Sequence, residues 1–289
     1  MPFHFRIINV FTQGDDRFSG NPLAVFEDAR DLDSEVMQRL ALQFNLSETT
    51  FILPSSVGEA RMRIFTPAYE MPFAGHPTLG TAHVVAELQG GLDAVRLETL
   101  AGVIPVTRHG RRFQLRANRA STRRPTEETG QLAAMLGLAP QDLAGEALWV
   151  NTGNEQLIVP LATEAAVRRV KVDGAALSSL HCVHGNPKVY VFAELGDDRL
   201  LSRFFFPKGP GQPILEDPAT GSACANLGGY YLATGTARPL SRVISQGEYT
   251  GRPSTLYLTV DAAGEVFVAG DVLELGRGSI ELATASARV

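Results

Sequence analysis

The chain has 289 residues, 44% of them apolar and 20% charged, with a formal net charge of −5. That length is about twice a typical domain, so two domains are expected, and the composition is that of a soluble globular protein rather than a disordered one. The acidic balance weighs against general nucleic-acid binding, and no apolar run approaches the roughly 18 residues of a membrane span.

In chain order, the residue pattern predicts short strands at 5–10 and 23–26, flanking a turn of Gly20, Asn21 and Pro22. Residues 33–43 have helical spacing, with Val36, Leu40 and Gln43 on one face and Ser34 near the start. Residues 49–53 are β-rich, 54–58 break the chain, and 61–66 alternate as a strand. A helix is expected at 77–88, opened by Pro77 and closed by Gly90 and Gly91. Strands follow at 95–100 and 113–117, and the polar segment 118–130 reads as a linker. From Arg108 to Arg124 there are seven arginines (108, 111, 112, 116, 119, 123 and 124) and no acid, so −5 becomes −12 when they are set aside. They read either as a solvated strand face or as a surface that draws anionic substrates. Nucleic-acid binding ranks third, because only Phe113 interleaves with them.

The second half repeats the plan of the first. Asn21–Phe26 has a counterpart in Asn186–Phe192, and Arg63–Pro67 has one in Arg203–Pro207. Ala74–Ala82 matches Ala219–Ala225, each a turn leading into a helix opened by small residues. Two similar α/β halves are expected to enclose a cleft. Helix N-termini pointing into it would favour a carboxylate, because their first backbone N–H groups lack partners.

Several residues could act in such a cleft. His76, in Gly75-His76-Pro77-Thr78, either faces the ligand or only caps its helix. Asp217, in Glu216–Ser222, either interacts with the helix dipole or belongs to a ligand-binding turn, which the small residues from Gly221 to Ala225 favour. Glu48 alone reads as a solvated glutamate or a functional one, and His83 as a packed helix residue. Cys182 and Cys224 fit no disulfide framework or zinc motif, and Cys224 reads as a small buried apolar residue. The run from His181 to His184 offers too few ligands for a metal site, and no glycine-rich nucleotide motif occurs. No metal and no cofactor are therefore expected. The N-terminus lacks a secretory pattern, which points to the cytoplasm.

As a set, the motifs resemble the PhzF family of phenazine-biosynthesis-like proteins. They are Asn21–Val25, Leu46–Phe51, Arg63–Pro67, Pro72–Gly80, Glu216–Ser222 and Gln246–Pro253. The resemblance implies an α/β (α+β) fold of the diaminopimelate-epimerase type: two pseudo-symmetric domains, each a curled, mostly antiparallel sheet around a central helix. The lobes would be 1–118, completed by 278–289, and 127–277. It also implies cofactor-independent isomerisation of a small carboxylate-bearing substrate, similar to that of trans-2,3-dihydro-3-hydroxyanthranilate isomerase. Glu48 would move a carbon-bound proton, with its pKa raised by desolvation, and His76 and Asp217 would assist. Gly75, Thr220, Gly221 and Ser222 would hold the substrate, and the protein would be a homodimer. Ala74 and Pro218 stand where thiol epimerases of this fold carry cysteines. A non-thiol epimerase or racemase of a small acid, and a metabolite-binding protein without turnover, remain as alternatives.

Overall fold

A computed structural model describes residues 2–183, 185–207 and 212–282. His184, and with it the end of the His181 to His184 run, lies outside them, as do residues 283–289 of the returning C-terminal segment. The described residues form two units, one of 2–115 with 270–282 and one of 116–269.

Unit 1 contains β1 (Phe3–Val10), β2 (Asn21–Phe26), α1 (Ser34–Phe44), β3 (Glu48–Leu53), β4 (Ala60–Phe65), β5 (Glu70–Met71), α2 (Gly75–Leu88), β6 (Ala94–Thr99), β7 (Gly102–His109) and β8 (Arg112–Arg116). Most neighbouring strands are antiparallel; β2 with β3 and β4 with β6 are parallel. The Asp33 carboxylate caps α1 by accepting from the Val36 N–H at 2.8 Å, and Asn45 ends it in the left-handed region. Its buried Met37, Leu40 and Ala41 pack on Phe26, Phe51 and Phe65 of the sheet. By contrast, α2 is buried from His76 to Ala86, as a helix apolar on all sides must be, and it packs against β1 to β4 and β6. A Cβ on its Gly80 would sit 2.7 Å from Leu23 Cδ2 and 3.0 Å from Val10 Cγ2, so glycine there lets the sheet close on the helix.

Unit 2 contains β9 (Ser121–Arg123), α3 (Thr129–Met135), β10 (Leu148–Asn151), β11 (Glu155–Pro160), α4 (Glu164–Arg169), α5 (Gly174–Ser179), β12 (Val189–Gly196), β13 (Arg199–Pro207), β14 (Ile214–Asp217), α6 (Gly221–Ala233), β15 (Leu240–Gln246) and β16 (Ser254–Val260). The last strand, β17 (Val266–Ile280), begins in unit 2; from Gly270 onward it belongs to unit 1, where its residues between Val272 and Ile280 pair with β1. The helix α6 is the counterpart of α2: nearly all of it is buried, against β10, β11 and β16.

The strand registers define the internal repeat. Arg63 pairs with Phe51 and Phe65 with Glu70 in unit 1; Arg203 pairs with Val191 and Phe205 with Glu216 in unit 2. The two arginines hold the matching glutamates by bidentate contacts, 2.7 and 2.7 Å for Arg63 with Glu70, and 3.0 and 2.7 Å for Arg203 with Glu216. The expected match of Asn21 with Asn186 is corrected by the same registers. Parallel pairing aligns Ala24 with Thr49 and Leu157 with Val189, so β2 corresponds to β11, and β12 takes the place of β3. The structural partner of Asn21 is therefore Asn154.

Other elements depart locally from the expected pattern. The helix α2 starts at Gly75 rather than Pro77, because a proline among the first four helical positions lacks only an N–H that has no partner anyway. Strand β7 was hidden by Pro105, which faces Arg96 and cannot donate to the ladder. The linker candidate 118–130 contains β9, paired with β10, where the Arg123 guanidinium lies 4.7 Å from the centre of the Trp149 ring. Five of the seven arginines meet carboxylates distant in sequence: Arg111 and Arg112 at Asp271, Arg116 at Glu265, Arg123 at Glu155 and Arg124 at Glu146. Much of the basic stretch is thus neutralised within its own units. No helix of the described residues is long and apolar enough to cross a membrane.

Candidate active site

In unit 1 the structure brings Glu48, Gly75 and His76 together. Glu48 is the first residue of β3, and His76 lies in the first turn of α2, which Gly75 opens. Glu48 Oε2 is 3.3 Å from His76 Nδ1. The imidazole is 6% exposed, and burial pushes its pKa down to about 3, against the opposing pull of a hydrogen bond with the Pro22 backbone. His76 is therefore a neutral imidazole at physiological pH, and its contact with Glu48 is polar rather than an ion pair. Its Nε2 is buried and has no hydrogen-bond partner among the described residues. The hydroxyls of Thr50 on β3 and Thr81 on α2 meet at 2.8 Å and fix the strand to the helix. The N-cap residue Ala74 has no side chain that could cap α2, which leaves its first backbone N–H groups for other partners.

In unit 2 the structure groups Asp217, Thr220, Gly221 and Ser222. Asp217 ends β14, and Thr220 is the N-cap residue of α6, without a side-chain capping bond. The Thr220 hydroxyl donates to Asp217 Oδ2 instead. Gln246 Nε2 donates to the Asp217 carbonyl at 2.9 Å and to Thr220 Oγ1 at 3.0 Å. Ser222 Oγ accepts from Gln156 Nε2 at 2.8 Å, and Gln156 Oε1 accepts from Asn226 Nδ2 at 2.8 Å. Ala223, Cys224 and Ala225 are buried, so their small size serves the packing of α6, and burial pushes the Cys224 thiol pKa up.

Sequence reasoning assigned no role to Gln246 or Lys188. Gln246 opens the Gln246–Pro253 motif, and the motif is the only signal it gave. Lys188 is revealed by register alone. The Leu157 N–H donates to the Lys188 carbonyl at 2.9 Å, which extends the parallel pairing and puts Lys188 where Glu48 stands in unit 1. The same alignment sets Ser222 against His76 and Asp217 against Met71. The repeated framework thus carries different chemistry in each unit.

Among the described residues, one further group has the donor types of a metal site: the potential ligand atoms of His83, Glu87 and Glu274 lie within 4.8 Å of one another. Arg6 already engages Glu87 at 2.8 Å and Glu274 at 3.0 Å, and Arg277 engages Glu274 at 2.5 Å. A cation there would displace or face those guanidinium charges.

The chain shares 36% identity over 283 residues with an uncharacterised isomerase of Pasteurella multocida, covering 96% of this chain and 94% of the relative. It shares 38% over 253 residues with the trans-2,3-dihydro-3-hydroxyanthranilate isomerase of Pseudomonas aeruginosa, covering 85% and 87%. The crystal structure of a PhzF-family phenazine biosynthesis protein from Bacillus anthracis superposes with a TM-score of 0.83, at 25% identity and 98% and 100% coverage. Fold and relatives together define an isomerase of mixed α/β architecture. The model of the PhzC-PhzF family, described as phenazine biosynthesis-like protein, matches residues 8–273, and the chain belongs to that family.

Proposed function

We propose that the protein moves a proton between carbons of a small carboxylate-bearing substrate, with Glu48 as the general base. The observation that carries this reading is the 3.3 Å contact of Glu48 Oε2 with the buried, neutral His76. Glu48 takes a proton from a substrate carbon and becomes a carboxylic acid; the carbanion delocalises into the adjacent π system. The acid then returns the proton at another carbon, so the double bond shifts with no net oxidation or reduction. His76 orients the Glu48 carboxylate, and its buried Nε2 is a hydrogen-bonding atom that a bound substrate would satisfy. The backbone N–H groups opening α2 and α6, at Gly75 and Gly221-Ser222, suit an anionic group. Asp217, held by Thr220 and Gln246, is assigned to binding and proton traffic in the same reaction.

The proposed substrate class is supported by the similarity to the trans-2,3-dihydro-3-hydroxyanthranilate isomerase, whose named substrate is a cyclic, enol-capable carboxylate. The test uses that compound in deuterated water. The wild type should convert it and place deuterium on carbon. Glu48→Gln should lose at least the ~10²-fold typical of a general base while keeping the melting temperature and ligand binding. An active Glu48→Gln enzyme would remove Glu48 from the mechanism. Deuterium appearing with inversion at the same carbon would select the epimerase alternative instead.

A further inference from the structure

The repeat places a lysine where the first unit has its candidate base, and the surroundings of that lysine are unusual for a buried cation. Lys188 is half-buried, and its Nζ donates to the neutral Asn154 Oδ1 at 2.7 Å. Among the described residues no carboxylate forms an ion pair with it. Glu155, the neighbour of Asn154, is committed elsewhere. It accepts from Arg123 Nε at 2.9 Å, from the Val183 N–H at 2.7 Å and from Cys182 Sγ at 3.2 Å. Among the described residues the fully buried cations are matched: Arg6 with Glu27, Glu87 and Glu274, and Arg203 with Glu216.

An ammonium group removed from water without a counter-ion raises the free energy of the folded protein, and an anion arriving beside it recovers part of that cost. Burial accordingly lowers the Lys188 pKa. The group is also held in place. Asn226 Nδ2 donates to the Asn154 carbonyl at 2.8 Å and to Gln156 Oε1 at 2.8 Å, and Gln156 reaches Ser222 at 2.8 Å. A continuous hydrogen-bonded path therefore joins the lysine's partner Asn154 to the first turn of α6.

From this arrangement we propose that Lys188 is the anion-recognising residue of unit 2 and takes a carboxylate of the substrate. The assignment rests on the reading that the substrate carries a carboxylate, and adds the residue that selects it. The same position of the repeat then holds the proposed proton acceptor, Glu48, in unit 1 and a carboxylate receptor, Lys188, in unit 2.

The experiment compares thermal stabilisation by three acids, acetate, benzoate and 2-aminobenzoate, with that by their neutral amides. The wild type should be stabilised by at least one acid more than by its amide. Lys188→Met and Lys188→Gln should lose the preference, with acid affinity down at least 10-fold, and Lys188→Arg should keep part of it. Absence of an acid-over-amide preference in the wild type would overturn the proposal. So would its retention in Lys188→Met, because the helix N-termini would then suffice. A second measurement needs no folded variant: the chain has three lysines, Lys171, Lys188 and Lys208. In ¹³C-methylated protein, one lysine signal should shift with the acid and not with the amide; three unmoved signals would equally reject the assignment. Glu48→Gln should retain the acid preference, so failure of the general-base reading is distinguishable from failure of this one.

Discussion

Thr50 and Thr81 share one buried hydrogen bond, 2.8 Å between their hydroxyls, and it ties the strand that starts at Glu48 to the helix that carries His76. Replacing one threonine by valine keeps the shape and strands the other hydroxyl without its partner. Thr81→Val should therefore cost about 1–3 kcal/mol, whereas the Thr50→Val/Thr81→Val double variant should cost less than the single. Both should lower kcat more than they raise KM, since Glu48 and His76 lose their fixed separation. Urea unfolding and initial rates across the four-protein cycle would check this. A double variant less stable than either single one would show that the pair is not a unit.

Gln246 plays the corresponding part in unit 2. Its amide is almost fully buried and meets both the Asp217 carbonyl and the Thr220 hydroxyl. Gln246→Leu should destabilise unit 2 by about 1–3 kcal/mol through the acceptors it abandons. If Asp217 serves the reaction, turnover should fall with it, while Gln246→Glu, which keeps the shape but donates nothing, should fall similarly. Unchanged rates in both variants would detach Asp217 from catalysis.

Acid should weaken the fold in two windows with different owners. The folded pKa of His76 is about 3, below its unfolded value of 6.5, so the unfolded state binds the proton more readily. Its contribution is complete above pH 6.5 and is lost as pH falls from there towards 3, at up to about 1.4 kcal/mol per pH unit. Glu155 is held down to about 2; although burial alone would raise it, Arg123, the Val183 N–H and Cys182 outweigh that. Its contribution is complete above 4.5 and is lost between there and about 2. His76→Gln should flatten the stability profile between pH 6.5 and 4.5, and Glu155→Gln should flatten only the more acidic part. Equal slopes for wild type and His76→Gln above pH 4.5 would contradict a buried neutral imidazole.

How far the fold was legible depended on whether a signal was local. The helix α1 was visible as an element because its helical spacing lies within a dozen residues, but its face was read one step off: Leu40 is buried as expected, with Met37 and Ala41 beside it, while Gln43 is exposed. The helix α2 was visible because glycines stop it. Strand β7 was obscured by Pro105, and β9 by a polar segment whose arginines find their acids only after folding. The pairing of Asn21 with Asn186 failed for a related reason: a short Asn-Pro motif can recur out of register, and only the ladder of hydrogen bonds fixes which strands correspond. Glu48, His76 and Asp217 came from recognisable motifs. Lys188 and Gln246 make their contacts with partners distant in sequence, at Asn154, Asp217 and Thr220, and no spacing rule could have drawn them out.

Two glycines of the Gln246–Pro253 segment separate backbone conformation from space. Gly247 has φ 85° and Gly251 φ 69°, so either loses conformational freedom as alanine. A Cβ on Gly251 would meet nothing within 4 Å, whereas one on Gly247 would run into the carbonyl oxygens of Arg252 and Pro218. Backbone oxygens cannot rotate aside as the end of a side chain can. Gly251→Ala should therefore cost only the left-handed strain, roughly 1–2 kcal/mol, with activity kept. Gly247→Ala should add an overpacking cost of about 1–3 kcal/mol and push Pro218, and with it the Asp217 turn, out of place. Melting temperatures and turnover of the two variants, measured side by side, would check this. Equal losses in both would mean that the close approach of Gly247 to Pro218 does not position the turn.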